Sequence, residues 1–362
     1  MYQYKNERIY IAGPECFYTN GYALWDSMGK KAEYYGFDVV MPTRNELRLD
    51  NEDLRKNADE IFRNCGQAMN EATAIIADLE QFRGSEPDGG SLFEIGMAYA
   101  RGLRCYGFTR DKRDMIFKHQ DVVLRDGRVY DGEGRILSYQ DIPFCPSLIG
   151  SCKLIEGSFD DCLKLLMLDI DEERKDRARR QTPVVDYSAA VTLEKKERPV
   201  AYLAGPERFD GDAAKRYAYM KELCAGHGIL AVTPADDAPG VPAVDSDDPY
   251  TRAYHTFDRC QQHVRNCDMM IADLNDFHGF EPNSDVSFEC GMAWQLGKKC
   301  FGYRKDTSKM RDRIPNLGPE GNYQDIYDNV VENFNYPVNL MFSSSMPVFE
   351  GEFESVIKRI FK

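Results

Sequence analysis

At 362 residues with 43% hydrophobic and 29% charged side chains, the chain holds enough apolar sequence for two cores and lacks the polar low complexity of a disordered protein. A formal net charge of -14 counts against a duplex nucleic-acid binder, which neutralises phosphates with clustered Lys and Arg, and leaves a small-molecule ligand as the better expectation. No apolar run approaches the roughly 18 residues that cross a bilayer, and the polar stretch Met1 to Arg8 lacks a signal-peptide core, so a cytoplasmic protein with no membrane partner is expected.

In chain order, an apolar run at Ile9 to Ala12 breaks at Gly13-Pro14 and predicts a buried strand and a turn. Helical periodicity over Ala23 to Tyr35 and a strand over Phe37 to Met41 complete a βαβ unit. A helix over Leu54 to Met69 leads to a third buried strand, Ala74 to Ala77, with Asp78 directly after it. A helix over Phe93 to Arg101 and a strand over Cys105 to Phe108 continue the alternation. The insertion Asp111 to Asp141 reads as a hairpin that either covers a pocket or decorates the surface. An apolar helical segment from Gly157 to Met167 closes the first half.

The second half repeats this order. Arg8-Ile9-Tyr10-Ile11-Ala12-Gly13-Pro14-Glu15-Cys16-Phe17 returns as Val200-Ala201-Tyr202-Leu203-Ala204-Gly205-Pro206-Glu207-Arg208-Phe209, and Ile76 through Ala98 returns as Ile271 through Ala293. An offset of about 190 residues is too long for a solenoid unit and fits a duplicated domain. Strands are expected there at Val200 to Ala204, Ile229 to Val232, Met269 to Ala272 and Cys300 to Tyr303. Helices are expected at Ala213 to Ala225, Tyr254 to Val264, Phe288 to Leu296 and between Gly351 and Phe361. The domains read as 1–168 and 199–362, and the charged stretch 169–198 reads as a linker or solvated helix. The fold class is α/β: two flavodoxin-like, Rossmann-like domains, each a mostly parallel sheet flanked by helices.

Ligands of open parallel sheets bind outside the carboxyl ends of the strands. Asp78 falls there, and the glycine-containing loop Phe82 to Ser91 carries Asp88 to the start of the helix bearing Glu94. A glutamate near the positive end of a helix dipole favours its ionised form, and an ionised carboxylate can act as a nucleophile. Asp88 and Ser91 equally suit a helix cap. Capping does not account for several acids converging on one strand edge. The eleven cysteines, without a C-x-x-C pair or a histidine cluster, read as small buried hydrophobes, and no metal site is expected.

Tyr10-Ile11-Ala12-Gly13-Pro14, Ala77-Asp78-Leu79, Phe82-Arg83-Gly84 and Glu86-Pro87-Asp88-Gly89-Gly90-Ser91-Leu92-Phe93-Glu94-Ile95-Gly96 resemble the nucleoside 2-deoxyribosyltransferase family, as does Pro337-Val338-Asn339-Leu340-Met341. The resemblance covers both halves. It implies exchange of the base of 2'-deoxyribonucleosides, in nucleotide salvage, with Glu94 as a nucleophile that holds the sugar as a covalent ester. Asp78 would be an acid toward the departing base, or only a structural strand-end residue. Tyr10 would orient the nucleophile, or be only a strand aromatic. Asp88 would accept from sugar hydroxyls, with Gly13, Asn339 and Met341 also on the substrate. Deoxyribonucleosides and free nucleobases are the implied substrates, and no cofactor is implied. Base preference would rest on the loops at Thr43-Arg44-Asn45 and Phe17-Tyr18. An N-glycosidase that passes the sugar to water is the enzymatic alternative. A non-catalytic nucleotide-binding sensor is the other, and the presence of Tyr10, Asp78, Asp88 and Glu94 together counts against it.

In this family the Asn-Leu-Met element typically completes a neighbouring subunit's site. The halves are therefore expected to pair as a pseudo-dimer, and further homodimers would fit the family's habit. Asn339 and Met341 would complete the Glu94 site. The reciprocal site would combine Tyr202, Asp273 and Glu289 with Ser147 and Ile149, and it has Asn283 at the Asp88 position. Two readings compete. Either this second site has decayed, or Asn283 and Ser147 adapt it to deoxynucleoside 5'-monophosphates by removing negative charge and leaving neutral hydrogen-bonding groups. Asp285, two residues on, could restore the acid.

Overall fold

Apolar residues in β1 (Arg8–Ala12) send Tyr10 and Ala12 to one face and Ile9 and Ile11 to the other, all buried. Such a strand must be covered on both sides. The computed structural model, which describes residues 4–41, 43, 47–132, 134–137, 139–179 and 198–362, pairs it with β2 (Asp38–Val40) and β3 (Ala74–Asp78). Next to β3 lies β4 (Arg104–Thr109). An antiparallel hairpin, β5 (Val123–Arg125) and β6 (Arg128–Tyr130), precedes the edge strand β7 (Lys153–Glu156). The second half supplies β8 (Val200–Ala204), β9 (Leu230–Val232), β10 (Met269–Asp273), β11 (Lys299–Arg304) and β12 (Val348–Glu350). The sheets run β2-β1-β3-β4-β7 and β12-β11-β10-β8-β9, with every pair parallel. Counted within each half, both have the flavodoxin-like order, which leaves a crevice where the first and third strands part.

Helices cover both faces. In the first half they are α1 (Gly21–Tyr34), α2 (Leu54–Glu71), α3 (Gly89–Ala100), α4 (Pro146–Ser151) and α5 (Phe159–Arg179). In the second they are α6 (Ala213–Gly226), α7 (Pro249–Asn266), α8 (Ser284–Gln295), α9 (Met310–Arg313), α10 (Leu340–Ser343) and α11 (Phe353–Ile360). Three of these begin earlier than their apolar periodicity indicates, because a cap precedes them. Asp88, Asn283 and Asp248 accept from the backbone N–H groups of Ser91, Val286 and Thr251, and Pro249 suits the first turn after Asp248.

The expected domain boundary at 168 falls inside α5. Its charged continuation is held to the first sheet: Asp169 accepts from the Tyr106 hydroxyl, and Glu173 pairs with Arg104 at 2.6 Å. Residues 180–197 of the expected linker, and the Arg44-Asn45 pair, lie outside the described residues. Among the described residues no helix is long and apolar enough to cross a membrane.

The halves meet along α3 and α8, and one apolar core runs through both, from Tyr10 and Phe93 to Tyr202 and Phe288. Glycine permits the contact. A Cβ on Gly96 would stand 2.0 Å from the Phe288 carbonyl oxygen, and one on Gly291 would stand 1.9 Å from that of Phe93. The insertions then cross over. The Ile136 N–H donates to the Phe209 carbonyl at 2.9 Å, and Val330 donates to Phe17 at 2.8 Å. Arg83 grips the second insertion through Asp325 (2.8 Å) and the Val330 carbonyl (2.7 Å), while His278 sits 2.7 Å from Asp131 in the first. Each half thus closes over the strand ends of the other.

Candidate active site

β1 ends at Gly13 because its φ of 156° and its surroundings both demand glycine: a Cβ there would lie 2.1 Å from the Glu15 carboxylate and 2.9 Å from Asp78 Cβ. Above this turn opens a cavity of about 400 Å³, within the range of small-molecule sites. Tyr10, Gly13, Asp88, Glu94, Asn339 and Met341 all line it. Asp78 does not. It lies behind Gly13, nearly buried, with its Oδ1 accepting from the Glu80 N–H at 2.9 Å.

The Tyr10 hydroxyl donates to Glu94 Oε1 at 2.5 Å. Burial pushes the Glu94 carboxyl up to about 8, opposed by that hydroxyl and assisted by the nearby Asp88 charge. Asp88 does cap α3, through Oδ2 to the Ser91 N–H and hydroxyl, both at 2.7 Å. Its Oδ1 is buried without a partner, so the cap leaves one acceptor for something else. Asn339 reaches in from the second half as the cap of α10, accepting from the Met341 N–H at 2.9 Å. It packs so closely on α3 that a Cβ on Gly90 would lie 2.8 Å from its amide nitrogen.

Sequence reasoning missed several lining residues. Glu332, from the second insertion, accepts from the Leu340 N–H at 2.9 Å and faces the cavity, its carboxyl pushed up to about 8 by burial. Its one signal was an acid inside an apolar stretch, Val330-Val331-Glu332. The other end of the cavity is apolar and aromatic, with Phe17, Tyr22, Trp25, Met41, Leu47 and Leu49. Thr43 also lines it, in agreement with the loop expected there, whereas Tyr18 does not.

The second half has the same skeleton without the space. The Tyr202 hydroxyl donates to Glu289 at 2.8 Å, and Glu289 is likewise pushed up to about 8 by burial. Arg208, which replaces Cys16, projects into the volume, pairs with Asp285 and lies over the rings of Tyr139 and Phe209. Ser147 is spent on Asp285, through its N–H (2.9 Å) and hydroxyl (2.6 Å). Asn283 caps α8. Asp273 is buried and accepts from Asn275. Tyr139, from the first insertion, lies under the Arg208 guanidinium, and beside it, next to Asn283 and Asp285, is a void of only about 10 Å³, room for about one water. Of the insertion expected either to cover a pocket or to decorate the surface, the hairpin strand β5 is exposed, while Tyr139 packs on Arg208.

The family described as nucleoside 2-deoxyribosyltransferase matches twice, over residues 9–149 and 201–341. No curated protein matches the chain. Among solved structures, a 2-deoxyribosyltransferase from Leishmania mexicana is 27% identical, aligned over 45% of this chain and 97% of that one, with a TM-score of 0.36. One from Bacillus psychrosaccharolyticus is 16% identical over 44% and 90% of the two chains, TM-score 0.28. A conserved protein from Enterococcus faecalis is 19% identical over 45% and 97%, TM-score 0.29.

Proposed function

The chain belongs to the nucleoside 2-deoxyribosyltransferase family as a tandem duplication, and on that premise we propose that it exchanges the base of 2'-deoxyribonucleosides at one site, built on Glu94 and completed by Asn339 and Met341. The observation that carries this reading is the Tyr10–Glu94 hydrogen bond at the floor of a cavity whose walls come from both halves. The Glu94 carboxylate attacks C1', the C–N electron pair leaves with the base, and the sugar is held as a glutamyl ester until a second base reverses the step. Asp88, with an unpartnered oxygen, accepts from a sugar hydroxyl. The aromatic end of the cavity suits a flat base in either half-reaction, which favours a nucleobase acceptor over water.

Arg208, engaged by Asp285 and Tyr139, supports retirement of the Glu289 site rather than its adaptation to 5'-monophosphates. Within the open cavity the Asp88 carboxylate disfavours a phosphate as well.

Base exchange between a deoxynucleoside and a foreign base, measured separately in Glu94→Ala and Glu289→Ala, tests the reading. The first substitution should lower exchange by roughly 1,000-fold or more, and the second should leave it near the parent rate. The reverse pattern would move the chemistry to the second half, and free deoxyribose in place of a new nucleoside would make the enzyme a hydrolase.

A further inference from the structure

Glu332 lines the open cavity together with Asp88 and Asn339, and Glu94 and its partners carry out the exchange without it. It arrives on the second insertion, half-buried, and among the described residues its one hydrogen-bond partner is the Leu340 N–H, which Oε2 accepts at 2.9 Å. Oε1 is left to the cavity. Asp88 is placed in the same way: Oδ2 is spent on Ser91, whereas Oδ1 is buried without a partner. The two acids are near enough for the Asp88 charge to act on Glu332, and the Cys16 side chain senses both. No Lys or Arg is among the described residues lining the cavity, so a sugar meets only neutral and acidic groups there. A carboxyl group taken out of water costs free energy unless its hydrogen bonds are replaced, and Leu340 replaces only one. The two insertions also differ at this place. They make the same crossing bonds, Ile136 to Phe209 and Val330 to Phe17, followed by Leu137 to Val129 and Val331 to Tyr323. That register makes Ser138 the counterpart of Glu332 in the sequence, so the acid belongs to the insertion that walls the open cavity.

We propose that Glu332 is a specificity-determining residue for the sugar: it shares one sugar hydroxyl with Asp88, donating from Oε1 to the hydroxyl oxygen while that hydroxyl donates to Asp88 Oδ1. The proposal rests on the Glu94 reading and deepens it, by naming the ligand group on which selection acts.

Burial, opposed by the Leu340 N–H and assisted by the Asp88 charge, pushes Glu332 up to about 8, so at neutral pH it carries the proton that it donates. A protonated acid facing an orphaned acceptor admits a group that accepts and donates at a single atom. An alcohol does both. A hydrogen in its place does neither, and a phosphate ester offers acceptors alone and sets its charge against Asp88.

The test is exchange onto a foreign base from three donors that carry the same base: a 2'-deoxyribonucleoside, its 2',3'-dideoxy analogue and its 2',5'-dideoxy analogue. Each is measured with the parent enzyme, Glu332→Ala and Glu332→Gln. Glu332→Ala should lower kcat/KM for the full sugar by roughly tenfold. On the analogue that lacks the shared hydroxyl it should match the parent enzyme, because hydroxyl and carboxyl act as one pair. The other analogue should show the same loss as the full sugar. Glu332→Gln should stay within about threefold of the parent on every donor, since its carbonyl keeps the Leu340 bond and its amide N–H keeps the donor. An equal loss on all three donors overturns the proposal, because it marks a residue that merely holds Leu340. So does the absence of any loss, or a loss in Glu332→Gln as large as that in Glu332→Ala. If Glu332→Ala fails to fold, Glu332→Ser, which carries the residue of the other insertion, is read against the same donors. Exchange surviving in Glu94→Ala would instead overturn the underlying function, so the two failures are distinct.

Discussion

Tyr10 opposes the effect of burial on the proposed nucleophile. The Glu94 carboxyl is raised to about 8 by burial even with the Tyr10 hydroxyl favouring its ionised form. Removing that hydroxyl removes a bond to a charged group, worth about 1.5–3 kcal/mol. Tyr10→Phe should therefore lower kcat/KM by roughly 10- to 100-fold at neutral pH. The acidic limb should also move to higher pH, since a carboxylate that loses a donor is protonated more readily. An unchanged acidic limb would mean that Tyr10 only packs. Asp88 and Glu94 were legible in the sequence because strand and helix periodicity bring them to one sheet edge, and Tyr10 through the family resemblance. Glu332 was not, because its place depends on how an insertion from the other half folds. Nor was the Cys16 to Arg208 exchange legible as a plug, because a cysteine and an arginine in aligned turns do not reveal which of them fills its pocket.

Among the elements, α10 shows how one short helix does two jobs. Asn339 caps it and at the same time lies against Gly90 at the start of α3. Loss of the cap costs about 1 kcal/mol, and loss of the amide leaves the Asp88 end of the cavity without that neighbour. Asn339→Ala should thus lower stability by about that amount in a denaturant titration while reducing exchange at the Glu94 site by about tenfold or more. Unchanged kinetics would sink the composite site. The order of strands and helices was readable because apolar runs, Gly-Pro breaks and caps agree with one another. The starts of α3, α7 and α8 were misplaced because caps, not apolar periodicity, set them. That α5 runs on past 168 was not legible, because a mixed-charge sequence gives no sign of whether a sheet lies beside it. Here Arg104 and Tyr106 provide one.

For the whole molecule, the crossing of α3 and α8 is the joint on which both halves depend. A methyl at Gly96 meets the Phe288 carbonyl at 2.0 Å, which no rotamer can relieve. Gly96→Ala must separate the helices and should lower stability by about 2–4 kcal/mol, read as a fall in Tm. It should also reduce exchange, since Asn339 and Glu332 reach the cavity across that joint. A variant with normal Tm would show the joint to be more pliant than its packing implies. The duplication itself was plain in the sequence, and so was the parallel sheet. The filling of the second pocket was not, because it depends on Tyr139 and Arg208 meeting from opposite halves.

The crossed insertions carry one more consequence. In a symmetric pair of identical chains, any substitution in the donated wall appears in both sites at once and must be tolerated by both. Joining two copies into one chain removes that constraint. Tyr139 and Arg208 meet near Asp285 and do not line the open cavity, whereas Glu332 and Asn339 line it beside Glu94. Closing one pocket leaves the chemistry of the other untouched, and the filled pocket is free to serve as solid support for the open one.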